Sequence, residues 1–363
     1  MTPPILVLGL ETSCDETAAA VLRLGAGGRV EVLSSVVASQ VAQHAPFGGV
    51  VPEIAARAHV ELIEPVTIRA LEEAGVGIGD IAGIAATAGP GLVGGVMVGL
   101  SFGKALALAR GLPLVAVNHL EGHAVSARLA GDAAYPFLLL LVSGGHCQLL
   151  EVAGIGQARR MGSTIDDAAG EAFDKIAKAL GLPYPGGPAL ERLAEGGDAD
   201  RFALPRALHG REGYDFSFSG LKTAAARLAE KVASQGERRD LAAAVQAAIA
   251  RQLADRSLGA MADYAGRHPG EPLRFVVAGG VAANRTVRAR LEAAATAEGF
   301  SFAAPPLKYC TDNAAMIALA GAERLAAGLT DGLDAIARPR WPLDAAAALA
   351  SPTHIPGRKG AKA

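Results

Sequence analysis

The run Asn118-His119-Leu120-Glu121-Gly122-His123 places two imidazoles at i and i+4. On a helix these positions share a face, so both rings can grip one metal ion. The spacing is that of the H-E-x-x-H zinc proteases, but the acid is displaced. Glu121 stands two residues past His119, and a two-residue step on a helix points to roughly the opposite side. The run therefore suits a metal site and argues against peptide hydrolysis with Glu121 as the base. Two polar residues at a helix start are the competing reading. A further carboxylate, Asp312, stands in Lys308-Tyr309-Cys310-Thr311-Asp312-Asn313, just before an apolar helical run. It is either an ordinary N-terminal turn residue or a third ligand, and spacing does not choose between them. Two histidines and one carboxylate would suit iron or zinc with positions open to substrate.

Other acids and several glycine turns carry chemistry too. Asp15 and Glu16 lie in the polar turn Glu11-Thr12-Ser13-Cys14-Asp15-Glu16-Thr17. There they can hold a magnesium ion or receive a proton near a phosphate, or simply cap the turn. Asp166, Asp167, Glu171 and Asp174 are expected to start and line one helix, 166–181. Lys175 and Lys178 supply i,i+4 partners there, and Asp174 lies too far in for the helix dipole to account for it. Glycine-rich turns follow strands at 89–95, 143–145, 186–187 and 279–280. Such turns let backbone N–H groups converge on phosphate oxygens, and a helix opening from the turn adds its dipole. Together they suggest a nucleotide or another phosphorylated ligand. No G-x-x-x-x-G-K-[ST] run is present, so this is not a P-loop protein.

The elements that must position these residues fall into two rounds. The first has expected strands at 5–9, 18–22 and 30–38 forming a β-meander, a helix at 55–74, a strand at 81–88, a helix at 96–110 and a strand at 114–117 that delivers the histidines. The second has strands at 137–142 and 147–152, helices at 166–181 and 241–265, a strand at 274–278 with a helix after it, and a last helix at 313–327. The strand–polar turn–strand opening recurs, which suggests two similar lobes with a cleft between them. The expected division is a lobe over 1–133 with the histidine pair, a lobe over 134–345 with the nucleotide turns and Asp312, and a basic, disordered tail over 346–363. Arg358, Lys359 and Lys362 give the tail its charge.

Composition narrows the class. The chain has 363 residues, 51% of them hydrophobic but only 4% aromatic, which fits a soluble α/β protein with small-residue helices. Net charge is −2, so a nucleic-acid partner is not announced and would need a local basic patch. Cys14, Cys147 and Cys310 are odd in number and far apart, which implies no disulfide framework and favours a reducing cytoplasm. No secretory leader is recognisable, and no apolar run reaches the ~18–20 residues that a membrane span needs.

Taken together, the segments resemble the tRNA threonylcarbamoyladenosine transferase family, called TsaD in bacteria and once labelled glycoprotein endopeptidases. The resemblance rests on Gly9-Leu10-Glu11-Thr12-Ser13-Cys14-Asp15-Glu16-Thr17-Ala18, Ala88-Gly89-Pro90-Gly91-Leu92, the histidine run, Leu141-Val142-Ser143-Gly144-Gly145-His146 and the block from Asp166 to Lys175. Tyr184-Pro185-Gly186-Gly187, the block from Phe216 to Thr223, Gly279-Gly280-Val281-Ala282-Ala283-Asn284 and Cys310-Thr311-Asp312-Asn313-Ala314 also match. The resemblance implies the two-lobed actin-like fold of sugar kinases, heat-shock ATPases and actin, with duplicated ribonuclease-H-like lobes. It implies a metal, iron(II) or alternatively zinc, on His119, His123 and Asp312. It implies nucleotide or substrate contacts at Leu141, Val142, Ser143, Gly144, Gly145, Asp174, Gly187 and Asn284, and activity-linked acids at Asp15 and Glu16. The implied reaction moves a threonylcarbamoyl group from threonylcarbamoyl-AMP, supplied by a synthase, to the adenosine beside the anticodon of tRNAs reading codons that begin with A. The implied partners are tRNA, a TsaB-like paralogue and a TsaE-like ATPase, with magnesium an option beside the adenine nucleotide.

Three other readings compete. An actin-like small-molecule kinase shares the phosphate turns but needs no paired histidines. A metallopeptidase is opposed by the position of Glu121. A non-catalytic partner subunit should lack the metal ligands, all of which this chain has.

Overall fold

The computed structural model describes residues 4–131 and 133–350. Two compact units emerge, and the chain crosses between them more than once. The first holds residues up to 134, 154–157 and 305–345, while the second holds 135–153, 158–304 and the chain from 346.

The sheet of the first unit contains β1 (Ile5–Glu11), β2 (Glu16–Leu24), β3 (Val30–Ser39), β4 (Gly83–Gly89) and β5 (Leu114–Asn118). Their order is β3-β2-β1-β4-β5. β1, β2 and β3 form the antiparallel meander expected from the sequence, and β4 and β5 join it in parallel. The second sheet contains β6 (Phe137–Val142), β7 (Cys147–Gly154), β8 (Gln157–Ser163), β9 (Arg274–Ala278) and β10 (Ser301–Ala303). Its order, β10-β9-β6-β7-β8, is the first order read from the other edge. In both sheets the opening strand lies at the centre, antiparallel to the next strand and parallel to the fourth. Every residue of β6 is buried, as a central strand covered on both faces requires.

The linear division of the chain needs correction. Residues 305–345, with Asp312, pack into the first unit rather than into a lobe over 134–345. The cause is the Ala314–Ala326 helix, whose residues from Ala314 to Ala322 are all buried. It lies on the first sheet through glycine. A Cβ on Gly9 of β1 would fall 2.7 Å from the Ala318 nitrogen, and one on Gly321 would strike Ala85 of β4. The expected tail also changes. Its described beginning is helical over Ala345–Ala350, and Arg358, Lys359 and Lys362 lie outside the described residues.

Other departures have local causes. β8 escapes a sequence reading because Gln157-Ala158-Arg159-Arg160-Met161-Gly162-Ser163 has no apolar run. Gly186–Ala194 is a helix rather than only a turn, begun at the very glycines that mark it. The helix expected at 241–265 runs over Gln235–Arg267, started by a capping box between Ser234 and Glu237. The Val93–Arg110 helix is long and apolar enough, by length and composition, to cross a membrane, against the expectation from the sequence. Gly95, Val96, Gly99, Leu100, Gly103 and Ala107 are nevertheless buried along it, and Gly103 approaches Ala86 of the sheet. All three cysteines are free.

Candidate metal centre and glycine turns

Two helix caps deliver the candidate ligands in the first unit. β5 ends at Asn118, whose side chain accepts from the Leu120 N–H at 2.9 Å and so starts the His119–Val125 helix. The Asn118 amide also donates to the Trp341 carbonyl at 2.9 Å, which fixes the start of that helix. Asp312 is followed by Asn313, which caps the Ala314–Ala326 helix by accepting from the Met316 N–H at 3.0 Å. The Asn313 amide holds the Thr311 carbonyl at 2.8 Å. His119 and Asp312 therefore each adjoin a capping asparagine, and His123 follows His119 one helical turn on.

The three side chains meet. Asp312 Oδ1 lies 3.1 Å from His123 Nε2 and 3.4 Å from His119 Nε2. One ligand atom from each of the three falls within 4.8 Å of the others. The two rings sit edge to face, 4.7 Å between centroids. Behind His119 stands a residue that the sequence did not single out. Glu11, fully buried at the end of β1, contacts His119 Nδ1 through Oε2 at 3.0 Å. Glu11 is itself held by the Thr87 hydroxyl at 2.6 Å and the Ser13 N–H at 2.5 Å. A carboxylate on the far nitrogen fixes the orientation of a metal-binding imidazole and raises its basicity. His123 Nδ1 has no hydrogen-bond partner among the described residues, so this support serves His119 alone.

The electrostatics match the donor set. Burial opposes ionisation of Asp312, yet His119 and His123 more than offset it and hold its carboxyl far below the usual range. Burial likewise opposes the charge on Glu11, and His119 again prevails. Burial pulls His119 down, but Asp312 and Glu11 raise it well above an ordinary histidine. Two carboxylates thus demand positive charge between them. A proton on His119 supplies one unit, and a divalent cation supplies two. Glu16 is pushed up to about 10, first by burial and then by Asp312 and Asp15. Glu16 thus keeps its proton at neutral pH. Asp15 is buried beside it.

Glu121 faces elsewhere, as its place on the helix predicts. Its Oε2 pairs with Arg324 at 3.0 Å, and its Oε1 accepts from the Gly156 N–H at 2.6 Å. A peptidase base would have to face the metal. Glu121→Gln should therefore leave metal content at the wild-type level. It should cost on the order of 2 kcal/mol of stability, because half-buried Arg324 loses its charge partner. Elemental analysis beside a thermal melt checks this, and metal loss in the variant would show that Glu121 does orient the histidines.

The remaining predicted residues lie in the second unit. Ser143, Gly144 and Gly145 form the turn between β6 and β7, where the Ser143 N–H donates to the His146 carbonyl at 2.8 Å. Gly144 and Gly145 face open space, and Gly170, near the start of the Ala169–Ala179 helix, packs on the backbone of Ser143 and Gly144. Gly279, at φ +96°, approaches the Val142 carbonyl. The 143–145 and 279–280 turns and one helix start therefore converge. Leu141 and Val142 are wholly buried in β6, so only their backbone can serve a ligand. Asp174 accepts from the Gly186 N–H at 2.9 Å, which ties the next glycine turn to this cluster, and Gly187 has free space about its Cα. Asn284 caps the Arg285–Ala297 helix, accepting from the Val287 N–H at 2.9 Å. Asp166 and Asp167 precede their expected helix rather than start it. Asp166 accepts from the Phe218 N–H at 2.7 Å and the Ser219 N–H at 3.2 Å, while Asp167 pairs with Lys175 at 3.0 Å.

Comparison with known proteins identifies the family. The family model described as TsaD, tRNA N6-adenosine threonylcarbamoyltransferase, matches residues 31–319. A Caulobacter vibrioides protein of that name is 73% identical, with 100% of each chain covered. A Maricaulis maris protein of the same name is 60% identical over 99% of this chain and 96% of its own. Among solved structures, HypF from T. kodakarensis superposes with a TM-score of 0.58 at 17% identity, covering 90% of this chain and 50% of that one. At that identity the likeness speaks for the fold alone, which is the actin-like ATPase fold.

Proposed function

This chain belongs to the tRNA N6-adenosine threonylcarbamoyltransferase family, and from that premise we propose that it is a metal-dependent enzyme of the kind the name describes. In this reading it moves a threonylcarbamoyl group from threonylcarbamoyl-AMP to the exocyclic amine of the adenosine beside the anticodon. The observation that supports metal dependence most is the convergence of His119, His123 and Asp312, with Glu11 buttressing His119. These donors fit iron(II) or zinc. When bound, such an ion supplies Lewis acidity and charge at the carbonyl that is attacked.

The reaction joins a weak amine nucleophile to an activated carbonyl and expels AMP. With so good a leaving group, the protein mainly positions and polarises. We assign the adenylate to the glycine turns of the second unit, whose open backbone at Gly144, Gly145 and Gly187 leaves room for phosphate oxygens. Proton removal from the amine is assigned to the Asp15 and Glu16 pair. Glu16 keeps its own proton and hydrogen-bonds to Asp15. A tRNA substrate puts the reaction in the cytoplasm, and TsaB-like and TsaE-like partners follow from the family resemblance. The test is transfer itself: purified protein and partners, supplied threonylcarbamoyl-AMP and unmodified tRNA, read by mass spectrometry of nucleosides. Absence of threonylcarbamoyladenosine with all components present would overturn the reading.

A further inference from the structure

We propose that an arginine-lined face of the second unit, where the Gln235–Arg267 and Arg285–Ala297 helices meet, receives the phosphate backbone of the tRNA. The proposal rests on the tRNA transferase reading above and adds the docking surface to it. Two grooves adjoin there and share Arg251. One, of about 250 Å³, is lined by Arg206, His209, Arg251, Asp255 and Arg256 among others. The other is lined by Arg251, Arg285, Thr286 and Arg290 on a floor of alanines. Asp255 is the one acid among all these lining residues.

The charge balance decides what the face can take. Asp255 pairs with Arg206 at 2.9 Å, and Arg285 is held by Glu191 at 3.2 Å and Glu195 at 2.5 Å. The side chains of Arg251 and Arg290 make no hydrogen bond or ion pair among the described residues. Arg256 is 8% exposed and has no carboxylate partner. Its guanidinium donates instead to the carbonyls of Leu208 at 3.2 Å, Arg211 at 2.8 Å and Glu212 at 3.3 Å, and to that of Gly213. Its Nε has no partner. Leu208 sits at φ +57°, a left-handed conformation that a leucine adopts only under constraint. Arg256 supplies that constraint and leaves its own positive charge unneutralised beneath the groove.

A buried guanidinium without a carboxylate partner in the first groove, Arg251 shared by both grooves and Arg290 in the second make a local positive field on a chain whose net charge is −2. Phosphate oxygens accept from such guanidinium groups in pairs. Two adjoining grooves call for a ligand carrying several phosphates in a row, and the floor of Ala247, Ala250 and Ala289 lets a backbone lie close. Of the macromolecules that offer that chemistry, the tRNA is already the substrate. An acidic protein surface is the competing occupant.

The experiment uses the full chain with R251E, R290E and the double variant, and follows fluorescence anisotropy of unmodified tRNA across a salt titration. The double variant should bind tRNA at least about tenfold more weakly, with a salt slope smaller by about two. Affinity for threonylcarbamoyl-AMP, metal content and melting temperature should match the wild type. R251K/R290K should keep most of the binding, since a phosphate contact needs the charge more than the fork. Wild-type tRNA affinity and slope in R251E/R290E, while the wild type still transfers, would overturn the docking surface and leave the transferase reading intact. Charge reversal that weakens only the hold on an acidic partner protein would also overturn it. Failure of the wild type to modify tRNA would instead remove the reading on which the proposal stands.

Discussion

His123→Ala is expected to lower threonylcarbamoyl transfer about a thousandfold or more, equivalent to ~4 kcal/mol of transition-state stabilisation. The substitution removes one of three donors that face a common point, and His123 Nε2 lies 3.1 Å from Asp312. It should lower metal content in parallel, because the remaining histidine and carboxylate make a two-point site. His119→Ala should act the same way and should also free Glu11, whose Oε2 contacts His119 Nδ1 at 3.0 Å. Glu121→Gln is the control on the same helix. Its partners are Arg324 and Gly156, so transfer should fall less than about tenfold, or ~1.4 kcal/mol. Single-turnover assays with elemental analysis on all three variants make the comparison. Full metal occupancy in both histidine variants would sink the three-ligand site, and equal loss of transfer in Glu121→Gln would remove the facing argument.

The second large effect concerns a glycine that touches no substrate. Gly9→Val should destabilise the protein by about 3 kcal/mol, the upper end of ordinary overpacking. Its Cβ would fall 2.7 Å from the Ala318 nitrogen and 2.8 Å from the Ala318 Cβ, and it would also strike the Ala314 carbonyl. Backbone atoms of a buried helix cannot swing aside as the end of a side chain can. The Ala314–Ala326 helix must therefore shift, and Asp312 shifts with it. A lower melting temperature joined to weaker metal binding is the expected pair of readouts. A variant that melts lower yet binds metal normally would show that Asp312 is placed by its own loop rather than by the helix.

The histidine pair, the meander and the repeated opening are local patterns, and each is written in consecutive residues. Glu121 could be turned away from the metal by counting helical steps, since that needs only the helix. Glu11 could not be found in the same way. Its role depends on β1 and β5 lying on either side of β4, which brings the end of one strand beside the helix that follows another. Its signal was present, as an acid ending an apolar strand inside a matched block, but it looked like turn chemistry. Asp312 stands out as a ligand only through family resemblance, and its unit is not legible, because nothing in a linear reading says that a chain will return to its first sheet. Asn284 shows the opposite limit, where a residue read as a ligand contact also caps a helix.

The return of residues 305–345 to the first unit also sets an order of manufacture. When β1 to β5 have left the ribosome, the first sheet still lacks the helix that covers β1 and β2. Domains with contiguous sequence can close as they emerge, at about 5–20 residues per second. This one waits while residues 158–304 of the second unit are translated. The two histidines are made long before the carboxylate that completes them, so a chain truncated before residue 305 carries the pair without the site. Throughout that interval nascent copies expose the apolar faces of β1 and β2 that the Ala314–Ala326 helix later covers.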